Sequence, residues 1–208
     1  LYEHMIFGAN MHYPQAEDFL ARLSELGADY NGRTSEEAVN YWFTLVADSV
    51  EPAMRALGSA LREPAFRQDE LEREREVVIG EYDRNESNPF YHLQRGVDRA
   101  LCKSAWSRKN PLGERKVIQS TTPAQMREIQ RKYYVPNNMA IIVTGDVNPD
   151  SVFALAQKFL GDWAKGEDPF AAEPEQAASG DHLPIFEAAR SDWFVTEPAE
   201  QGPLPHRQ

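Results

Sequence analysis

Stretch after stretch of this chain repeats apolar residues every three or four positions, and each stretch runs into a residue that stops a helix. Ala16, Phe19, Leu20, Leu23 and Leu26 fall on one helical face, and Gly27 follows as a natural C′ stop. Val50, Met54, Leu57 and Leu61 mark another helix, which Pro64 ends. Asp69 reads as the N-cap of a long charged helix reaching to about Arg84. Phe90, Leu93, Val97 and Leu101 form the next stripe. Thr122-Pro123 and Asn148-Pro149 each set a capping side chain ahead of a proline at the first helical position. The helices they open run through Tyr133 and, along Val152, Leu155, Ala156 and Phe159, to Gly161. Strand signals are sparse. Residues 41–46 are rich in aromatic and β-branched side chains, and the apolar run 139–144 reads as a buried strand ending at Gly145. The class is therefore α+β. Two or three short strands are too small a layer for so many helices, so further strands are expected before Leu1 or after the tail.

Composition narrows the function. The chain has 208 residues and a formal charge of −11, which argues against a nucleic-acid backbone or an anionic membrane surface as partner. Its apolar runs fall far short of the roughly 18–20 residues of a membrane span. Cys102 is the single cysteine, which excludes an internal disulfide framework and leaves cytosol, periplasm and exterior all open. Residues 164–208 hold 9 acids and 3 bases, −6 of the −11, and are rich in proline. That is linker composition, with a short patterned run at Trp193-Phe194-Val195-Thr196 that could form a strand. The chain opens on Leu1 and not Met, so a preceding segment is expected.

Residues able to carry chemistry gather at two places. Glu3 and His4 stand side by side on what reads as a helical start. In the long helix, acids alternate with Arg67, Arg73, Arg75 and Arg84, the pattern of a solvated, ion-paired face. Glu74 and Glu81, however, lie two turns apart on one face, with Val78 on the same face between them. Carboxylates on a partly apolar face are costly to bury unless a metal, a base or a shared proton compensates. Pattern alone leaves the ion-pair and functional readings both open.

The opening Leu1-Tyr2-Glu3-His4-Met5-Ile6-Phe7 resembles the inverted zinc motif His-x-x-Glu-His of the M16 metallopeptidases, the pitrilysin, insulinase and mitochondrial processing peptidase type. That family places a further glutamate after 76 intervening residues, and from His4 this count arrives at Glu81. Glu74 matches the family's additional glutamate on the same helix. The resemblance continues through Tyr30-Asn31-Gly32-Arg33-Thr34, Pro111-Leu112-Gly113, Thr121-Thr122, Tyr133-Tyr134-Val135-Pro136-Asn137-Asn138-Met139 and Gly145-Asp146-Val147.

The resemblance implies a half-domain with an antiparallel-type sheet packed by helices, its first strands missing from this chain. It implies a zinc metalloendopeptidase in the parent protein, with one Zn2+ per complete site. His4 and Glu81 would be zinc ligands, Glu3 the general base for a metal-activated water, and Glu74 a group that supports the site. Asn31 would align an extended substrate backbone, although Gly32 stands where the family usually has alanine. The first histidine of the motif would precede Leu1. With two of three ligands, this polypeptide alone is expected to retain zinc poorly and to show little or no peptidase activity. His12, His92, His182 and His206 lack ligand spacing and read as surface or core residues.

Residues 1–163 would form the catalytic α+β domain, and 164–208 an acidic, proline-rich interdomain linker with the start of a second half. That second half, in cis or as a partner subunit, would close on a peptide or unfolded polypeptide substrate. The alternative is a non-catalytic partner or scaffold subunit of a heteromeric peptidase. Such subunits usually lose the motif residues, so Glu3, His4, Glu74 and Glu81 together favour the enzyme. A helical interaction module would explain the charge pattern but not the ordered landmarks.

Overall fold

The computed structural model describes residues 1–102 and 110–171. In chain order these residues form α1 (Tyr2–Ile6), α2 (Ala16–Glu25), β1 (Asp29–Thr34), β2 (Val39–Thr44), α3 (Val50–Arg62), α4 (Gln68–Glu86), α5 (Pro89–Cys102), α6 (Arg115–Ser120), α7 (Pro123–Tyr133) and α8 (Pro149–Leu160). This is an α+β arrangement: helices around one antiparallel hairpin, in which Asn31 faces Trp42 and Gly32 faces Tyr41. Residues 1–169 form one compact unit, and a second begins at Phe170. No described helix is long and apolar enough to cross a membrane.

The local signals acted as expected at several boundaries. Thr122 caps α7 through a capping box with Gln125, ahead of proline, and the Asn148 side chain accepts the Ser151 N–H at the start of α8. α2 stops at Gly27, whose φ of 63° suits glycine. Asp69 is not the cap of α4. Arg67 holds that position, and its guanidinium pairs with Asp69 inside the first turn.

Three buried clusters hold the unit together. Ile6, Phe19, Leu23, Ala56, Ala60 and Leu61 join α1, α2 and α3 beneath the hairpin. Met5, Phe66, Leu71 and Met126 join α1 to α4 and α7, while Val78, Tyr82 and Ile118 join α4 to α6. α1 has only five residues and could not persist alone. Met5 and Ile6, each 1% exposed, anchor it in two clusters at once. Tyr2 packs against Phe66 and Tyr134, while Glu3 and His4 are left to face a cleft.

One strand expectation fails in the tertiary structure. Residues 139–144 form no strand: no described strand lends them hydrogen bonds, and Ile142 is 85% exposed. A strand exists only through a neighbour's N–H and C=O groups, and among the described residues β1 and β2 pair with one another alone. The α5 stripe is helical as expected, yet Phe90, Leu93 and Leu101 face outward. Helical spacing marks a shared face and does not say what covers it. The strand expected at Trp193 to Thr196 lies outside the described residues.

Candidate metal centre

α1 and α4 cross so that the cleft face of one meets the carboxylate face of the other. His4 Nδ1 stands 2.9 Å from Glu74 Oε2, and its Nε2 stands 3.9 Å from Glu81 Oε1. The two glutamates are seven residues apart on α4, so a single imidazole reaches both. Between them, Val78 is fully buried and fixes which way that face points. The Glu74 carboxylate can only accept, so His4 Nδ1 is the donor in this bond and Nε2 is the nitrogen turned toward Glu81.

Glu3 is held from the other side of the cleft. Tyr30, Gly32 and Thr34 alternate on the inner face of β1. The Thr34 hydroxyl donates to Glu3 Oε2, and Tyr30 packs on Phe7, with ring centroids 5.2 Å apart. A Cβ at Gly32 would stand 2.8 Å from Glu3 Cγ, so the missing side chain makes room for this carboxylate. The departure from alanine at position 32 therefore has a steric counterpart in how Glu3 lies. Asn31 lines the same cleft, and its Oδ1 accepts the Gly32 N–H at 2.8 Å.

Below α1, Tyr2 stacks on Tyr134 with centroids 4.3 Å apart, and the Tyr41 and Tyr134 hydroxyls lie 2.9 Å apart. Burial pushes the Tyr134 phenol up to about 12, aided by the nearby Glu3 charge, and raises Tyr2 and Tyr41 further in the same direction. These rings stay neutral and form an apolar floor under Glu3.

The cleft has a volume of about 570 Å³ and is lined by Glu3, His4, Asn31, Glu70, Glu74 and Glu81 among others. The structure thus brings together every residue singled out from the sequence. Among the described residues, no three of His, Cys, Asp and Glu are grouped to hold a metal ion. A pair is available. Zinc bonds of about 2.0–2.2 Å in a tetrahedral arrangement set two donors about 3.4 Å apart, so His4 Nε2 and Glu81 Oε1, at 3.9 Å, would close by about 0.5 Å to share one ion. Thr34 and Glu70 were not anticipated as members of this site. Thr34 lay within a matched landmark, while Glu70 looked like one more acid on a charged helix.

Comparison with known proteins shows the family of this chain. Residues 1–116 match the family described as insulinase, peptidase family M16, and residues 120–192 match the peptidase M16 inactive domain. The chain belongs to peptidase family M16. It is 26% identical over 158 residues to an insulin-degrading enzyme homolog of Dictyostelium discoideum, covering 76% of this chain and 16% of that protein. It is also 26% identical over 164 residues to the probable zinc protease PqqL of Escherichia coli, covering 76% of this chain and 18% of that protein. The crystal structure of a Helicobacter pylori protease superposes with a TM-score of 0.72 at 24% identity, covering 80% of this chain and 40% of that one. The chain therefore spans well under half the length of these relatives.

Proposed function

We propose that this chain is the catalytic half of a zinc-dependent peptidase that hydrolyses peptide bonds in peptide or unfolded polypeptide substrates. The observation that carries this reading is the single imidazole of His4, bonded to Glu74 through Nδ1 and turned toward Glu81 through Nε2. His4 and Glu81 would hold zinc, and a histidine directly ahead of Leu1, one turn from His4, would be the third ligand. Bound there, zinc supplies a Lewis acid that polarises a carbonyl and brings the pKa of a water toward neutrality. Glu3 would take up the proton of the attacking water and return it to the leaving amine. Thr34 holds Glu3 Oε2, which leaves Oε1 to receive that proton. Glu74 keeps the His4 proton on Nδ1. Asn31, on the outward side of β1, would align an extended substrate backbone beside the hairpin.

Residues 1–163 act in this reading as the catalytic domain, with 164–208 as the linker into a second half that completes the substrate chamber. This polypeptide alone would retain zinc poorly and cleave little. The experiment is zinc stoichiometry by elemental analysis in the chain bearing histidine ahead of Leu1. About one zinc per chain is expected, and Glu81→Gln should abolish it. Unchanged zinc in that variant refutes the ligand assignment. The other reading is a non-catalytic partner or scaffold subunit of a heteromeric peptidase. It predicts no peptide hydrolysis even when the ligand set and the second half are both supplied.

A further inference from the structure

Glu70 is a buried carboxylate that the mechanism above does not use. It is 5% exposed, in the first turn of α4, where the positive end of the helix dipole favours an acid. Its Oε2 accepts the Ala9 N–H at 3.1 Å. A Cβ on Gly8 would fall 2.7 Å from that same oxygen, so the carboxylate lies directly against the backbone that leaves α1. Ala9 is itself 1% exposed and is held from its other side by the Ala65 N–H, which donates to its carbonyl at 2.8 Å. Burying a carboxylate is expensive, and the hydrophobic clusters do not need one here. Its position suggests what it is for. Glu70 and Glu74 are one turn apart on α4, about 6 Å along the axis. Glu74 grips His4, near the start of α1, while Glu70 grips Ala9, just beyond its end.

We infer that Glu70 is a positioning residue: together with Gly8 it forms the second point of a two-point clamp that fixes α1 on α4 and so aims His4 at Glu74 and Glu81. A helix of five residues has little rigidity of its own. One contact, at His4, would let it swivel about its buried Met5 and Ile6; a second contact, one turn nearer the start of α4, removes that freedom. An acceptor that reaches Ala9 N is required. Glutamine provides one, while aspartate keeps the charge and falls short by a methylene. Glycine at position 8 is required by the same closeness. The inference rests on the metallopeptidase reading for what His4 is aimed to do, while the clamp itself is defined by contacts within this chain.

The test uses the 208-residue chain without metal. Histidine-labelled protein is examined by long-range nitrogen NMR at a pH above the imidazole range, with His4 assigned by its loss in His4→Gln. Exchange of the Ala9 amide is followed in parallel. The wild-type chain should hold His4 as the Nδ1–H tautomer and protect Ala9. Glu70→Ala, Glu70→Asp and Gly8→Ala should each shift His4 toward Nε2–H and speed Ala9 exchange by about tenfold or more, the loss of one hydrogen bond to a charged acceptor. Glu70→Gln should restore both, and it answers the question even where Glu70→Ala does not fold. Folded Glu70→Asp with the wild-type His4 tautomer, while Glu74→Ala changes it, overturns the clamp alone. An unchanged tautomer in Glu74→Ala overturns the His4–Glu74 pair, and both the clamp and the metal-centre reading with it.

Discussion

Arg75 offers a quantitative check on how α4 is held in place. Its Nε donates to the Ile118 carbonyl at 3.1 Å and its Nη2 to the Thr121 carbonyl at 2.7 Å, joining α4 to the end of α6. Ile118 and Thr121 are both buried, so water does not replace a lost donor cheaply. Hydrogen bonds from a charged donor contribute about 1.5–3 kcal/mol each. The two share one guanidinium and one ordering cost, and the group is only partly buried. Arg75→Met, which keeps most of the aliphatic stem, should therefore lose about 3 kcal/mol of stability. In a chain of this size, where 1 kcal/mol moves the melting point by roughly 2–4 °C, that is a fall of about 6–12 °C. Arg75→Lys keeps the charge but cannot bridge both carbonyls with the same fork, and should lose about half as much. Urea unfolding at pH 7, followed by circular dichroism and tryptophan fluorescence, measures both. An Arg75→Met midpoint that differs from wild type by less than about 0.5 kcal/mol, at an unchanged denaturant slope, would refute the reasoning.

Phe19 is fully buried in the cluster beneath the hairpin, and Phe19→Ala should cost about 3–5 kcal/mol by the same unfolding assay. Thr122→Ala removes the acceptor of the Gln125 N–H and should cost about 1 kcal/mol, while Thr122→Ser stays close to wild type. High pH should unfold the chain through its buried tyrosines. Tyr134 has a folded pKa raised to about 12, above the value near 10 of an unfolded tyrosine, so its contribution is complete below about pH 10 and disappears as pH rises through about 12. Tyr2 and Tyr41, raised in the same direction, add to that loss. Ultraviolet titration of the 8 tyrosines should show an exposed set ionising near pH 10 and a later set that ionises together with loss of helix; a single step near 10 with the fold intact would count against the buried floor.

The helices and the metal-site residues were legible for different reasons. Caps such as Thr122 and Asn148 work over three residues, so local sequence contains both partners. The Glu74 and Glu81 spacing follows from 3.6 residues per turn and needs no knowledge of what lies opposite. The motif resemblance then supplied roles that the spacing could not. What stayed hidden were contacts between distant positions. Thr34 meets Glu3 across 31 residues, Ala9 meets Glu70 across 61, and His4 meets Glu74 across 70. No periodicity relates such pairs, because they come together only when α1, β1 and α4 are packed on the same core.

Sequence by itself determined most of the helices, α6 excepted, where most of them stop, and which acids on α4 share a face, since each depends on neighbours within about a turn. It also contained the family landmarks. The tertiary structure alone decided that the α5 stripe faces outward and that residues 139–144 pair with no described strand, because both outcomes depend on which surfaces are present to cover them. It alone decided, too, that a five-residue helix can aim an imidazole. Met5 and Ile6 bury that helix, Glu74 and Glu70 grip it at two points, and Gly8 leaves the space for the second. Each of these contacts joins segments far apart in the chain, and only packing brings them within bonding distance.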